Sequence, residues 1–380
     1  MESLRNFSRR LLRTGVMTVL LLALSTGLSG AWWNGKDDGI PEARPRAEST
    51  LPQGNAITDP TSLLRYALPI SNRPVRDLQQ DIEDIAYNLR SRRWGPISKD
   101  IKGASRVVGY RAPQLLESIP EGQKPAAESA IASIRDDLDV LKEAADRKDK
   151  DAVWTVRRQI LGQIDILEEM MVPEYPYEVP EEYADLPQLK GRATVELETT
   201  KGMITVVVDG YSAPLTAGNF VDLVERGFYD GLPFIRSEDF YIAQFGDPPG
   251  PADGYIDPGT GKYRGIPLEI LIRGDYEPTY EATLEEIGRY REQPVLPFSA
   301  YGTLALARPS LKNNGGSSQV FFFLFEPNLT PAGLNLLDGR YAVFGYAVNG
   351  QNVLREIEPQ VDEIISAKVV KGSENLVQPV

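Results

Sequence analysis

The 380-residue sequence contains no cysteine and no histidine. These absences exclude a thiolate nucleophile, a Ser-His-Asp triad, a disulfide and an imidazole metal ligand. We therefore expect no metal and no cofactor. Carboxylate chemistry, lysine chemistry, and binding or catalysis without proton transfer remain open.

Positive charge is scarce, because 41 Lys and Arg residues stand against 54 Asp and Glu residues, for a formal net charge of −13. Residues 1–31 carry +3, which leaves −16 on the rest of the chain. Such an acidic surface repels nucleic acid and anionic lipid, so neither is an expected partner. The hydrophobic and charged fractions, 42% and 25%, are typical of a globular protein, and the length predicts two domains.

Residues 1–31 are typical of an export signal. Four arginines between Arg5 and Arg13 precede an apolar run from Val16 to Leu28, and small residues at 29–31 suit cleavage. The run is short of the roughly 20 residues that a membrane span needs, although an uncleaved anchor stays an alternative. Two adjacent arginines match a twin-arginine signal only loosely. No membrane insertion is expected after the signal is removed.

Residues 59–172 are predicted to form a helical bundle after a flexible tether at residues 32–58, which is rich in Gly, Pro and polar residues. Apolar residues recur three and four positions apart, so each set makes one stripe on a helix. The stripes are Leu78, Ile82, Ile85 and Leu89; Ile131, Ile134, Leu138 and Leu141; and Val153, Val156, Ile160, Ile164, Leu167 and Met171. Long helices are expected at about 74–93, 97–117, 125–147 and 150–172. Breaks are expected at Pro74, Gly95-Pro96, Pro113, Pro120–Pro125 and Asp146–Asp151. An antiparallel bundle buries such stripes and is expected to be structural or protein-binding.

Residues 173–190 are predicted to be an acidic, proline-rich linker between domains. The segment 173–187 contains four prolines and five acidic residues and cannot continue a helix. It is therefore interpreted as extended and semi-stiff. Its tyrosines, Tyr175, Tyr177 and Tyr183, are suited to pin it to a neighbouring surface.

From Gly191 the spacing of apolar residues changes from a repeat of 3.6 residues, typical of a helix, to a repeat of 2 residues, typical of a strand. A β-hairpin is predicted around a turn at Thr200–Gly202, and one helix is predicted from Pro214 to Gly227. Further short strands are expected at 233–236, 240–244, 302–307, 319–325, 341–348 and 364–370. One helix among many short strands indicates a β-barrel or sandwich over residues 191–380.

One group of residues in this region suggests chemistry. Arg236 lies in an apolar, aromatic stretch, and Gln244 follows eight residues later, on the same side of one strand-like run. In the run 321–325, the first, third and fifth residues share one face. A groove with a guanidinium, an amide and aromatic rings suits an apolar peptide segment with a carbonyl to grip. The alternative is an arginine that extends from a strand and pairs with Glu238 or Asp239.

Three stretches, in this order, resemble the cyclophilin family of peptidyl-prolyl isomerases. They are NFVDLVERGFYDGLPFIRSEDFYIAQFGD (219–247), GTLALARPSLKNNGGSSQVFFFLF (302–325) and LNLLDGRYAVFGY (334–346). The resemblance covers about residues 191–380. It implies a multidomain α + β protein, in which the antiparallel helical bundle is followed by a cyclophilin-like eight-stranded β-barrel.

The resemblance also implies catalysis of X-Pro isomerisation. Phe234-Ile235-Arg236 is similar to the family's Phe-His-Arg motif, which makes Arg236 the implied catalytic arginine. The implied substrate-binding residues are Tyr241, Ile242, Gln244, Ala307, Gln319, Phe321, Leu336, Leu337 and Tyr341.

The chain also departs from the family pattern. Ile235 replaces the histidine, Leu336 stands where the family often has tryptophan, and Arg308 replaces an asparagine, with a bulk that can narrow the groove. The segment 248–301 is longer than usual, and residues Glu281–Arg291 are predicted to form a helix that acts as a lid. The alternative function is therefore a weak or inactive cyclophilin that serves as a chaperone or assembly scaffold for partner proteins.

The layout of export signal, acidic bundle, proline-rich linker and divergent barrel resembles the multidomain cyclophilins of the thylakoid lumen and their cyanobacterial relatives. This resemblance implies an exported folding factor of the thylakoid lumen or periplasm. The implied clients are proline-containing proteins, including photosystem II subunits, and the implied role is to assist photosystem II assembly.

Overall fold

The computed structural model describes residues 57–172, 175–238, 241–309, 312–325 and 336–379. The predicted export signal, most of the tether and the first two residues of the linker lie outside this part of the chain. All described residues belong to one compact unit, Arg46–Val380. Among them, no helix is both long enough and apolar enough to cross a bilayer.

The first half of the described chain is helical. Its helices are α1 (Pro60–Ala67), α2 (Arg73–Arg90), α3 (Trp94–Tyr110), α4 (Ala112–Leu116), α5 (Lys124–Asp146) and α6 (Lys150–Met170). Every residue of the three predicted stripes lies in one buried apolar cluster, which confirms the stripes. Helices α5 and α6 are joined by three residues, so they pack as an antiparallel pair.

Two predicted helix boundaries are wrong. Helix α3 begins at Trp94, because Pro96 falls in the first helical turn, where its missing N–H is not needed. The helix expected at 97–117 is divided at Arg111, since Pro113 starts a new helix at its first turn. Helix α1 was not predicted. It begins with the N-cap Asp59, whose side chain accepts hydrogen bonds from the backbone N–H groups of Thr61 and Ser62.

A cluster of carboxylates on α2 and α3 makes the stability of the bundle depend on pH. Burial and the nearby charges of Asp100, Asp77 and Asp84 raise the pKa of Asp81 to about 6. The folded protein therefore holds this proton more tightly than the unfolded chain. The resulting stability is complete below the ordinary pKa near 3.8 and is lost as the pH rises through 6.

Asp81→Asn is expected to increase the free energy of unfolding by about 1 kcal/mol at pH 7 and to change it little at pH 4, because the variant removes a repelled charge. Urea unfolding at the two pH values measures the difference. Asp139→Asn, on the exposed side of α5, is the matched control and should change little at either pH. An equal effect of Asp81→Asn at both pH values would contradict the electrostatic cause.

The second half of the chain contains a small sheet of β1 (Gln188–Leu189) and β12 (Leu376–Val377) and a curled antiparallel sheet of eight strands. The strands, in sheet order, are β11 (Ile364–Lys371), β2 (Arg192–Thr199), β3 (Gly202–Asp209), β10 (Val343–Asn349), β8 (Thr303–Leu306), β9 (Val320–Phe323), β5 (Ile242–Phe245) and β4 (Phe234–Glu238). The two edges meet where Pro233 bridges Glu363 and the Phe234 N–H donates to the Asp362 carbonyl at 2.9 Å. The cyclophilin-like architecture is thus confirmed.

The inner face of this sheet and helix α7 (Pro214–Glu225) form the largest described core. Helix α7 ends where Gly227 adopts a φ of +66°, as predicted for a left-handed terminus. Along β9, Phe322 points into this core, while Phe321 and Phe323 belong to a separate cluster on the outer face. The outer face carries the candidate site.

The long segment 248–301 contains a two-stranded sheet, β6 (Glu269–Ile270) and β7 (Thr279–Tyr280). The buried Glu269 carboxylate accepts the backbone N–H groups of Leu215 and Thr216 at 3.3 and 3.0 Å. It thereby caps α7, which has no local side-chain cap. This segment is therefore tied to the sheet by a buried polar contact.

The prediction of a helical lid at Glu281–Arg291 is wrong, because these residues form turns. Glu281 and Gly288 have φ angles of +64° and +74°, which a right-handed helix does not accommodate. Between them, Thr283 and Glu286 bond reciprocally to each other's backbone N–H, which closes a single turn.

The linker tyrosines hold the described part of the linker on the barrel half of the chain. Tyr175 donates to the Gly210 carbonyl at 2.8 Å, and Tyr177 donates to the Tyr211 carbonyl at 3.1 Å. Tyr183 is buried in the main core of the sheet. The predicted pinning is confirmed.

Candidate active site

The candidate site lies on the outer face of the sheet, where β4, β5 and β9 run side by side. Arg236 is directly paired with Gln244, and Gln244 is directly paired with Phe321. Directly opposite residues of neighbouring strands project to the same face. The guanidinium, the amide and the aromatic ring therefore stand in one row across three strands.

This geometry corrects the expectation that Arg236 and Gln244 share one strand-like run. The chain reverses between β4 and β5, so the two residues meet by antiparallel pairing and not by their even spacing. The side chain of Glu238 and all of Asp239, the alternative partners of Arg236, lie outside the described part of the structure.

The row opens into a groove of about 740 Å³. The groove is lined by nine of the ten predicted site residues: Arg236, Tyr241, Ile242, Gln244, Ala307, Gln319, Phe321, Leu337 and Tyr341. Leu336 is the exception, because its side chain is 81% exposed and is not part of the lining. The structure does not bring Leu336 into the site.

A chain of amide hydrogen bonds fixes the polar wall of the groove. Gln244 Nε2 donates to Gln319 Oε1 at 2.6 Å. Gln319 Nε2 in turn donates to Asp247 Oδ1 at 2.9 Å and to the Asp253 carbonyl at 3.0 Å. Because its amide nitrogen is engaged in this way, Gln244 offers its carbonyl oxygen as an acceptor for a peptide N–H.

The apolar floor of the groove is Phe321, which is 4% exposed. Its ring stacks on Phe298 with a centroid distance of 6.1 Å and an interplanar angle of 9°, and meets Tyr341 edge-on at 5.5 Å. A flat apolar floor with an aromatic side wall is suited to a prolyl ring.

Arg308 lies along one wall of the groove. Its Nε and Nη2 donate to the Arg340 carbonyl at 3.0 and 2.7 Å, and its guanidinium carbon stands 5.2 Å from the centre of the Tyr341 ring. The long side chain is thus held against Tyr341 by hydrogen bonds and a cation–π contact.

Several parts of the site were not predicted from the sequence. Phe298 comes from the long segment before β8, and the groove is also lined by Asp253, Tyr263, Lys312 and Asn314. These residues occupy loops, where apolar periodicity carries no information about neighbours. Among the residues that the structure describes, no group of three or more carboxylates is arranged to hold a metal ion.

Helix α1 covers the apolar surface behind the groove. Its Leu63, Leu64 and Ala67 share one buried cluster with Phe321 and Phe323. The contact is reinforced by a hydrogen bond of 2.7 Å from Ser299 Oγ to the Ile57 carbonyl. The pattern that could have predicted α1 is the N-cap Asp59 followed by a proline and two leucines.

Comparison with known proteins identifies two families. Residues 194–373 match the model of the cyclophilin-type peptidyl-prolyl cis-trans isomerases. Residues 59–172 match the model of the PsbQ-like domain of CYP38-like peptidyl-prolyl cis-trans isomerases.

Three relatives match most of the chain. A putative thylakoid lumen peptidyl-prolyl cis-trans isomerase of Synechocystis is 51% identical over 97% of this chain and 96% of its own. The chloroplastic isomerase CYP38 of Arabidopsis thaliana is 44% identical over 87% of this chain and 78% of its own. The chloroplastic isomerase CYP37 of the same plant is 31% identical, over 83% and 70% respectively.

Proposed function

The chain belongs to the cyclophilin-type peptidyl-prolyl cis-trans isomerases, and on that premise we propose that its groove isomerises X-Pro bonds in proteins it meets after export. The observation that carries the proposal is the row of Arg236, Gln244 and Phe321 across three strands. The row presents a cation, a peptide acceptor and an apolar floor to one peptide segment.

The reaction needs a twisted amide and no covalent step. The barrier to rotation about the C–N bond is about 18–20 kcal/mol, because resonance gives the bond partial double-bond character. A site that binds the twisted amide better than the planar one lowers this barrier. The exposed guanidinium of Arg236 can donate to the prolyl amide nitrogen or the adjacent carbonyl as conjugation is lost.

The other groove residues hold the substrate while the bond rotates. Phe321 receives the prolyl ring, and Tyr341, Leu337, Ile242 and Tyr241 enclose it with apolar surface. Gln244, held by Gln319, accepts a backbone N–H of the peptide, and Ala307 leaves room for the chain beside it. Arg236 is thus the proposed catalytic residue, and the others are proposed substrate-binding residues.

The relatives support a cellular compartment in which this reaction takes place. They are thylakoid lumen and chloroplastic isomerases, which fits an exported protein with a removable signal at 1–31. The PsbQ-like match at 59–172 supports a client among photosystem II subunits and a chaperone role in their assembly. We propose that the chain after the signal is divided into a tether at 32–58, a helical bundle at 59–172, a linker at 173–190 and a cyclophilin domain at 191–380.

A second candidate is a binding scaffold with little catalysis. The observation that favours it is Arg308, which occupies the wall beside Tyr341 and leaves less room for a peptide backbone. In this case the groove captures proline-containing segments of partner proteins and does not speed their rotation.

The two candidates are separated by NMR exchange spectroscopy on a short Ala-Pro peptide with the full chain. Uncatalysed exchange takes tens to hundreds of seconds, so cis–trans cross-peaks at a mixing time of about 1 s require catalysis. We expect such cross-peaks. Line broadening or chemical-shift changes without cross-peaks would support the scaffold. The absence of cross-peaks, line broadening and shift changes would contradict both candidate functions.

Leu336→Ala is the internal control for the placement of the site. Because Leu336 is 81% exposed and outside the groove, its replacement should change kcat/KM by less than about twofold, as is usual for surface positions. A loss of about tenfold or more would show that Leu336 contacts the peptide in the working enzyme.

A further inference from the structure

A second cavity, of about 730 Å³, lies between the helical half of the chain and the segment before β8. Its walls come from residues 66–80 of the bundle, from Pro176 and Tyr177 of the linker, and from residues 271–276. It shares no lining residue with the peptide groove. A cavity of this size at a junction of two structural units is typical of small-molecule sites.

The cavity has an excess of positive charge in a protein that is strongly acidic. It is lined by Arg73, Arg76 and Arg273, and by two carboxylates, Asp77 and Asp275. Both carboxylates are already paired outside the lining. Asp77 accepts from Arg111 at 2.7 Å, and Asp275 accepts from Arg289 through both of its oxygens.

The three arginines differ in how far their charge is compensated. Arg76 pairs with the buried Glu168 at 3.2 Å and donates to the Leu68 carbonyl at 2.9 Å. Arg73 lines the cavity, is exposed and has no ion pair among the described residues. Arg273 likewise has no ion pair with any carboxylate in the described part of the chain. Burial lowers the pKa of Arg273 to about 10, although the charges of Tyr346 and Asp338 act in the opposite direction.

Arg273 also keeps one edge of its guanidinium without a partner. Its Nη1 donates to Oε1 of Gln293, and its buried Nε has no hydrogen bond within the described structure. The Nε and Nη2 atoms form the edge that binds a planar anionic group with two parallel hydrogen bonds. An unpartnered buried donor is costly, and an anion in the cavity relieves this cost when the Arg273 side chain turns its buried Nε toward the ligand.

The remaining walls are aromatic and aliphatic. Tyr66, Tyr177 and Tyr211 stand beside Leu68, Ile70 and Leu271. Such walls favour an apolar body attached to the anionic group, because burial of apolar surface contributes about 25 cal/mol per Å². Inorganic phosphate alone would leave these walls without a contact.

We propose that this cavity binds a small organic anion whose apolar body packs against the tyrosines and whose anionic group pairs with Arg273. The assignment rests on the geometry and the charge of this cavity and is independent of the isomerase groove. The ligand would contact the bundle, the linker and the barrel half at once, so it would stabilise the protein against unfolding by linkage.

The test uses 8-anilinonaphthalene-1-sulfonate, an aromatic sulfonate whose fluorescence rises on binding, with the full chain. Decanoate is then added as a competitor, and 1-decanol and inorganic phosphate are compared with it. We expect decanoate to displace the probe at a concentration at least about tenfold below that of decanol or phosphate, because only decanoate offers both the charge and the apolar body.

Variants locate the binding to this cavity. Arg273→Gln keeps a donor but removes the charge, and Arg73→Glu reverses the charge at an exposed position where folding is not at risk. Each is expected to weaken the binding of the probe and of decanoate about tenfold. Arg308→Gln makes the same change in the peptide groove and should leave both affinities unchanged.

Four results would overturn the proposal. The first is the absence of any probe binding by the wild-type chain. The second is equal displacement of the probe by decanol and decanoate. The third is an unchanged affinity in both Arg273→Gln and Arg73→Glu. The fourth is a loss of affinity in Arg308→Gln equal to the loss in those two variants. None of these outcomes depends on whether the chain isomerises X-Pro bonds.

Discussion

Arg236→Ala is expected to lower kcat/KM for X-Pro isomerisation by about 100- to 1,000-fold, which is the usual effect of removing one donor that stabilises a transition state. The guanidinium is exposed and stands beside Gln244 and Phe321 in the cross-strand row. The other two members of that row, Gln244 and Phe321, carry no charge, and the guanidinium of Arg308 is held by the Arg340 carbonyl. Exchange spectroscopy on the Ala-Pro peptide measures the change in rate.

Arg236→Lys separates charge from geometry. A lysine ammonium keeps the charge but lacks the planar fork of the guanidinium. We expect an intermediate loss in kcat/KM, of about tenfold, with the peptide affinity nearly unchanged. Arg340→Ala is the matched control, because Arg340 is an exposed arginine whose side chain pairs with Glu285 at 2.8 Å outside the groove. It should retain full activity.

The result that would contradict this assignment is an Arg236→Ala variant with kcat/KM within about twofold of the wild type. Rotation would then proceed without the guanidinium, and the groove would serve for binding alone. Urea unfolding of the same variant guards against a trivial cause, because an exposed side chain should cost less than about 0.5 kcal/mol of stability.

The sequence predicted best what depends on neighbours along the chain. The stripe of Leu78, Ile82, Ile85 and Leu89 follows from helical periodicity alone, and all four side chains are fully buried. The alternation in residues 321–325 likewise predicted that Phe321, Phe323 and Phe325 share one face, and the three share one apolar cluster. The family motifs then predicted which residues share the groove, because such motifs carry information about contacts between distant strands.

What could not be predicted depends on contacts between distant segments that no local pattern encodes. Helix α1 packs behind the groove, and Ser299 bonds to the Ile57 carbonyl across 242 positions of sequence. Nothing in the periodicity of either segment specifies the other. The predicted lid failed for a related reason, since the turn from Glu281 to Gly288 is set by positive φ angles and by burial of Leu284 beneath Gly339.

Phe298 is the residue where these long-range contacts reach the site. Its ring is 2% exposed, stacks on the groove floor Phe321, and meets Phe323 edge-on at 5.3 Å. Phe298→Ala is therefore expected to lower the free energy of unfolding by about 3–5 kcal/mol, the range for a large aromatic removed from a core. Urea unfolding measures this loss.

The same residue should also affect binding, because Phe321 loses the ring that supports it. For the milder Phe298→Leu we expect an increase in KM of about five- to tenfold with little change in kcat, since the floor contacts the prolyl ring equally in the ground and transition states.

Phe344→Leu is the matched control. Phe344 is also fully buried but faces the inner core, where it packs on Phe220 at 5.3 Å. It should lose similar stability and keep its KM. If both variants raise KM equally, the effect is general loosening of the barrel. If only Phe298→Leu does so, the segment before β8 is a working part of the site and supports the floor on which the proline rests.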